Sequence, residues 1–309
     1  MSTKTTTSKD SRWRPLIWIL PASVILLGLA VLGAQWLRGM DGVQAWMERY
    51  PGATPLPEAS PEGFPAWLGW QHFLNAFLMV LIIRTGWLVR TTARPKANWT
   101  RNNKGPIKTK RPPKKISMDL WLHYVLDVLW ILNGVIFVIL LIVSGRWVRV
   151  VPTSWEVFPN AASAALQYLS LNWPHEDSWV NYNSLQVLTY FVVIFIASPL
   201  AAITGLRMSN IWPEQAKRLN KAYPVELARA IHFPVMLFFV LFIVVHVTLV
   251  FTTGALQNLN YMYAAQNSAS SWLGFWMFAA SLVVMVAGWF LSRPIFTSPI
   301  ANTFGRVSR

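Results

Sequence analysis

Four histidines stand inside long apolar stretches of this chain: His72, His123, His232 and His246. Ionisable side chains are costly in a hydrocarbon environment and mark function by default, so their spacing is the first thing to read. His232 and His246 are 14 positions apart, which at 100° per residue is about 1400°, roughly 40° short of four full turns, with a rise of roughly 21 Å. One helix therefore presents two imidazoles on one face, near opposite ends of a membrane-length rod. A neutral imidazole is a good axial ligand for iron, and two of them facing each other leave room for a planar metal macrocycle between helices. The plainer alternative is that each histidine is a satisfied polar group bridging two helices. For any single one that account serves equally well, but it does not explain matched depths.

The elements that must position these side chains follow from composition. Apolar residues make up 54% of the 309, charged residues only 13%, and there are 18 tryptophans, against about 25% charged in an ordinary soluble domain. Stretches of about 20 apolar residues, the length that crosses a bilayer core as helix, lie at 15 to 37, 66 to 90, 119 to 146, 184 to 207, 227 to 252 and 270 to 292. The expected fold is all-α, a polytopic membrane bundle of six transmembrane helices. With the amino terminus inside, the Lys and Arg residues fall four in the N-terminal tail, ten in the 90 to 118 loop, five from 207 to 229 and three in the C-terminal tail. The outer connections hold Arg38, Arg49, Arg146 and Arg149 alone, and Arg84 lies within a span. The positive-inside rule thus places both termini in the cytoplasm and accounts for the net charge of +15 without nucleic acid.

Sidedness fixes depth. His72 and His246 fall near the outer surface, His123 and His232 near the inner one, so these are the two pairs that can meet. The absence of cysteine excludes disulfides, iron–sulfur clusters and covalently attached c-type haem. Two non-covalent b-type haems, each held by one imidazole from either side, are the expected cofactors. Among neighbouring residues, Gly86 lies 14 residues after His72 and could leave space for a porphyrin, although it and Gly134 also suit ordinary close helix packing. Arg229, one turn before His232, could meet a haem propionate or serve only the positive-inside bias. Arg84 could do the same or snorkel to the surface. Asp127, one turn after His123, could orient its imidazole, pass protons to a quinone, or simply join two helices by a hydrogen bond. His175, among Trp173, Pro174, Glu176 and Asp177, reads as a solvated loop residue.

The connections complete the expectation. The first span follows a basic segment and is similar to a secretory signal, but its apolar part is long, and retention is the reading preferred here. The 91 to 118 loop, with Pro95, Pro106, Pro112 and Pro113 among its positive charges, is expected to be an irregular cytoplasmic segment near anionic headgroups. The outer segments 38 to 65 and 147 to 183 are long enough to form caps, and their acidic residues Asp41, Glu48, Glu58, Glu62, Glu156, Glu176 and Asp177 could face a partner. Three regions result: 1 to 65, with the tail, the extra span and an outer loop; 66 to 252, a four-helix core; and 253 to 309, with the last span and tail.

On these residues the chain resembles the bacterial cytochrome b561 and nickel–iron hydrogenase b-subunit group, which includes formate dehydrogenase and thiosulfate reductase cytochrome b subunits. The resemblance spans 66 to 252. It rests on the placement of the four histidines and on the strings Gln71-His72-Phe73-Leu74-Asn75-Ala76, Arg84-Thr85-Gly86, Pro199-Leu200 with Thr204-Gly205-Leu206, and Arg229-Ala230-Ile231-His232. It implies a four-helix dihaem core pairing His72 with His246 and His123 with His232. It also implies electron transfer between membrane quinone and a catalytic redox subunit, such as a molybdopterin enzyme acting on a sulfur compound or formate, at the bacterial plasma membrane among lipid. Such a chain is an electron-transfer subunit rather than a complete enzyme. Two features depart from the pattern: Gly69 stands where the family has an arginine three residues before its first histidine, and the extra first span reverses the sidedness of the core. The rival readings are a transporter or channel whose histidines, Asp127 and Arg84 line an ion path, and a stand-alone cytochrome that oxidises a small external reductant.

Overall fold

The computed structural model describes residues 14–103, 112–173, 177–213 and 215–308. His175 lies outside them. Six helices are long and apolar enough to cross a membrane. They are α1 (Arg14–Arg38), α3 (Ala66–Thr91), α4 (Met118–Val143), the continuous rod of α6 (Ser184–Phe191) and α7 (Ser198–Met208), α9 (Val225–Thr252) and α11 (Leu273–Leu291). Shorter helices are α2 (Asp41–Arg49), α5 (Val157–Leu169), α8 (Lys217–Ala222), α10 (Ala255–Leu259) and α12 (Pro294–Phe304). The chain is thus a polytopic membrane helical bundle.

Local chemistry sets the ends of the site-bearing helices. Ser117 caps α4 by accepting from the Leu120 amide, and Gly145, left-handed at φ 71°, lets the chain turn away after it. Asn183 and Gln186 form a reciprocal capping box at the start of α6. Between α6 and α7 the rod widens into a π-helical segment, Val192–Ala197. Pro199, the second residue of α7, has no backbone N–H to return to the preceding turn, which is the local cause of the wider winding.

Polar backbone has no water to turn to in a bilayer, so each span satisfies its own ladder and leaves apolar side chains outward. α1 is the extreme case, its residues 17 to 32 almost wholly exposed. It is tied to the remainder at its end, where Gln35 and Arg38 donate to the carbonyl and hydroxyl of Ser170. In the core, α3 packs most extensively on α4, and α7 on α9. Two buried clusters follow, one around Leu78, Leu81, Met118, Trp121, Leu122 and Leu126, the other around Met79, Ala197 and Phe239.

The two ends of the bundle differ. At one, α2, α5 and α10 form a cap, in which the buried Asn260 side chain donates to the carbonyls of Ser268 and Ser271 and accepts from the Gly274 amide. Arg149 is only 3% exposed there and donates to the carbonyls of Gly63 and Ser178. At the other end the 91 to 118 segment is not irregular throughout. Strands β1 (Asn98–Arg101) and β2 (Lys115–Ser117) pair antiparallel, and β3 (Gly305–Ser308), from the C-terminal tail, adds to the free edge of β1. The register brings Trp99 opposite both Ile116 and Val307, and these three pack on the cluster beneath. That shared apolar contact is the physical reason strands form in the described parts of this basic segment; its residues 104 to 111, Pro106 among them, lie outside the described residues.

Candidate functional site

His123 is the sixth residue of α4 and His232 the eighth of α9, both close to the sheet end. His72 on α3 and His246 on α9 lie close to the cap end. The structure brings the same two pairs together that depth suggested. The ring centres of His72 and His246 are 6.2 Å apart, with planes inclined by 53°. Those of His123 and His232 are 6.5 Å apart, inclined by 82°. A metal ion held between two imidazole nitrogens at about 2 Å each puts the ring centres roughly 6 Å apart, so both pairs have the spacing of an axial ligand couple.

The surroundings of the pairs are unequal. At the sheet end, the Nδ1 atoms of His123 and His232 are 2.9 Å from Thr85 Oγ1 and 2.8 Å from Thr204 Oγ1. At the cap end, His72 Nδ1 is buried with no hydrogen-bond partner among the described residues. His72 instead meets Tyr263 edge-on at 6.0 Å, and His246 is stacked on Phe242 at 5.4 Å.

The other candidate residues divide. A Cβ on Gly86 would stand 3.2 Å from His123 Cε1, so this glycine makes room for an imidazole edge. One on Gly134 would meet nothing within 4 Å, which leaves close packing without support there. Asp127 Oδ2 is 3.7 Å from His123 Nε2, too far for a hydrogen bond. The bonded ring nitrogen belongs to Thr85, so Asp127 is not the group that orients His123. Arg84 donates to Ser292 Oγ at 2.8 Å and lies over the Trp289 ring, so its guanidinium is engaged by α11 and the turn that follows it. Arg229 is exposed. Arg90, not singled out from sequence, lies 3.9 Å over the ring of Phe233, the residue after His232. Thr85 and Thr204 stood in the strings that carry the resemblance but were given no role there, although each opens the same Thr-Gly step.

A helical membrane bundle with imidazoles facing across helix contacts at ligand spacing defines a class, the membrane cytochromes of b type. The family model for prokaryotic cytochrome b561 matches residues 63–264, the greater part of the chain. The chain belongs to that family. It is a multi-pass bacterial membrane protein, a b-type haem cytochrome that works in electron transfer. Comparison with curated proteins and with solved structures found no match.

Proposed function

We propose that the chain holds two b-type haems, one between His72 and His246 and one between His123 and His232, and carries electrons between quinone in the bilayer and a catalytic redox subunit docked at one surface. The observation that carries this reading is the pair of imidazole couples at 6.2 and 6.5 Å. Haem supplies one-electron exchange between ferric and ferrous iron. His72 with His246, and His123 with His232, would hold the two irons, and a haem held by two imidazoles would favour electron transfer over oxygen chemistry. The 14 residues from His232 to His246 give roughly 21 Å of rise along α9, a separation that would let two haems relay electrons between the two ends of the bundle.

The remaining residues take supporting roles in this reading. Residues 66 to 252 form the ligand-bearing core, with 1 to 65 and 253 to 309 as additions. Asp127, beside the sheet-end pair, is placed to exchange a proton with a quinone headgroup. Arg229 and Arg90 are the cations available near the sheet-end site for propionates. The sheet end faces the cytoplasm: most of the Lys and Arg residues lie on that side, while at the cap end Arg38, Arg146 and Arg149 are bonded to protein groups. Purified protein from haem-replete cells is expected to show b-type absorption that sharpens on dithionite reduction, with pyridine haemochrome approaching two haems per chain. A colourless preparation would overturn the reading and favour the ion-path alternative.

A further inference from the structure

We infer that Thr85 and Thr204 are positioning residues that decide which ring nitrogen of His123 and His232 is left bare for iron, and that they lower the reduction potential of the sheet-end site. The inference rests on the haem reading above. Thr85 Oγ1, on α3, lies 2.9 Å from His123 Nδ1 and also 2.9 and 3.1 Å from the Leu81 and Ile82 carbonyl oxygens of its own helix. Thr204 Oγ1, on α7, repeats this: 2.8 Å from His232 Nδ1, with the Leu200 and Ala201 carbonyl oxygens at 2.6 and 3.1 Å.

A hydroxyl has one hydrogen, and a carbonyl oxygen can only accept. Each threonine therefore donates to its own helix, and its oxygen accepts from Nδ1–H of the facing histidine. Both Nδ1 atoms are protonated as a result, and both Nε2 atoms are unprotonated. The hydroxyls are fixed, because Thr85 is 0% and Thr204 1% exposed. The residue after each threonine is a glycine, and a Cβ on Gly86 or Gly205 would lie 3.2 or 3.5 Å from Cε1 of the same imidazole. One dipeptide thus serves twice: its hydroxyl fixes the tautomer and its missing side chain admits the edge of the ring. α3 holds the histidine of α4, and α7 holds that of α9.

The cap-end pair has no such clasp, since His72 Nδ1 has no partner among the described residues. An imidazole whose outer N–H is bonded to oxygen is a stronger donor to its metal. The sheet-end site therefore favours ferric iron more than it would without its threonines, and the two sites differ in potential for a reason built into the helices.

A competing account is that threonines inside apolar helices merely satisfy their own turn. Redox potentiometry and pyridine haemochrome on the full-length protein separate the two, with His232→Ala identifying the cap-end component. Thr85→Val and Thr204→Val are expected to raise the potential of the sheet-end component alone. Together they should weaken its hold on haem by about ten- to a hundred-fold. Serine at either position keeps the hydroxyl and should retain the native potential. Alanine, which adds no bulk, should shift it as valine does. Unchanged potentials in the valine and alanine variants, or equal losses in serine and alanine, would overturn the clasp and leave the dihaem reading standing. Fewer than two haems in the unaltered protein would overturn that reading instead.

Discussion

Gly69 on α3 lies directly against the carbonyl oxygen of Met262, with no space between them for a side chain. The π-helical segment Asn260–Ala264 thereby closes over the entrance of α3, and its Tyr263 reaches His72. This contact explains why the arginine that the family resemblance led one to expect is absent at 69: backbone occupies its place. Gly69→Ala is expected to cost about 1 to 3 kcal/mol through overpacking, and Gly69→Arg more. Both should loosen the cap-end haem first, read as selective loss of one component in reduced-minus-oxidised spectra. Full haem content and an unchanged melting temperature in Gly69→Arg would show that the close approach is dispensable.

Single-histidine variants test the pairing itself. His246→Ala should remove the cap-end haem and His232→Ala the sheet-end haem, each leaving about one haem per chain, because their partners lie on different helices and at different depths. His72→Ala should reproduce the His246→Ala spectrum, and His123→Ala that of His232→Ala. Loss of both haems from every variant would leave no support for two independent sites.

What the sequence disclosed, and what it withheld, follows from the range of the forces involved. Span positions were legible because bilayer thickness sets helix length: the stretch anticipated at 66 to 90 is the helix Ala66–Thr91. The facing of His72 with His246 was legible because helical rise converts sequence position into depth. Strand β3 was not, since its partner Trp99 lies some two hundred residues before Val307 and neither stretch alternates strongly enough to declare itself. Nor was the direction of Arg84, whose long side chain turns to Ser292, a choice made by the packing of α11 rather than by spacing. The threonine contacts were only half legible: the repeated Thr-Gly step at 85 and 204 stood in the sequence, but which imidazole each hydroxyl meets depends on the neighbour across the interface.

Arg149 joins three parts of the cap end at once. Its guanidinium donates to Gly63 before α3 and Ser178 before α6, and lies over the Tyr182 ring at 4.7 Å and that of Phe64 at 5.5 Å. Arg149→Ala leaves the part-buried Ser178 carbonyl without this donor and removes the cation from the two rings, while Gly63 keeps Arg146 as a donor, and is expected to destabilise the protein by about 1 to 3 kcal/mol. Arg149→Lys should recover only part of this, as its donors share one nitrogen where the guanidinium reaches Gly63 and Ser178 from two, and an ammonium cannot stack flat on a ring. Thermal unfolding in detergent checks both, and a lysine variant as stable as the native protein would remove the fork geometry from the explanation.

Tyr182 gives the cap end a pH dependence of determinate sign. Burial raises the pKa of its phenol above the ordinary value of 10, and the charges of Arg149 and Arg146 offset only part of this. The folded protein therefore binds the phenolic proton more tightly than the unfolded chain does. That contribution to stability is complete below about pH 10, where the phenol is protonated in both states, and is lost as pH rises through the folded value. Melting temperature should accordingly fall on the alkaline side of pH 10. Tyr182→Phe keeps the ring against Tyr190, 5.2 Å away, and has no proton to lose, so its alkaline decline should be shallower. Parallel declines in the two proteins would assign the alkaline loss to other groups.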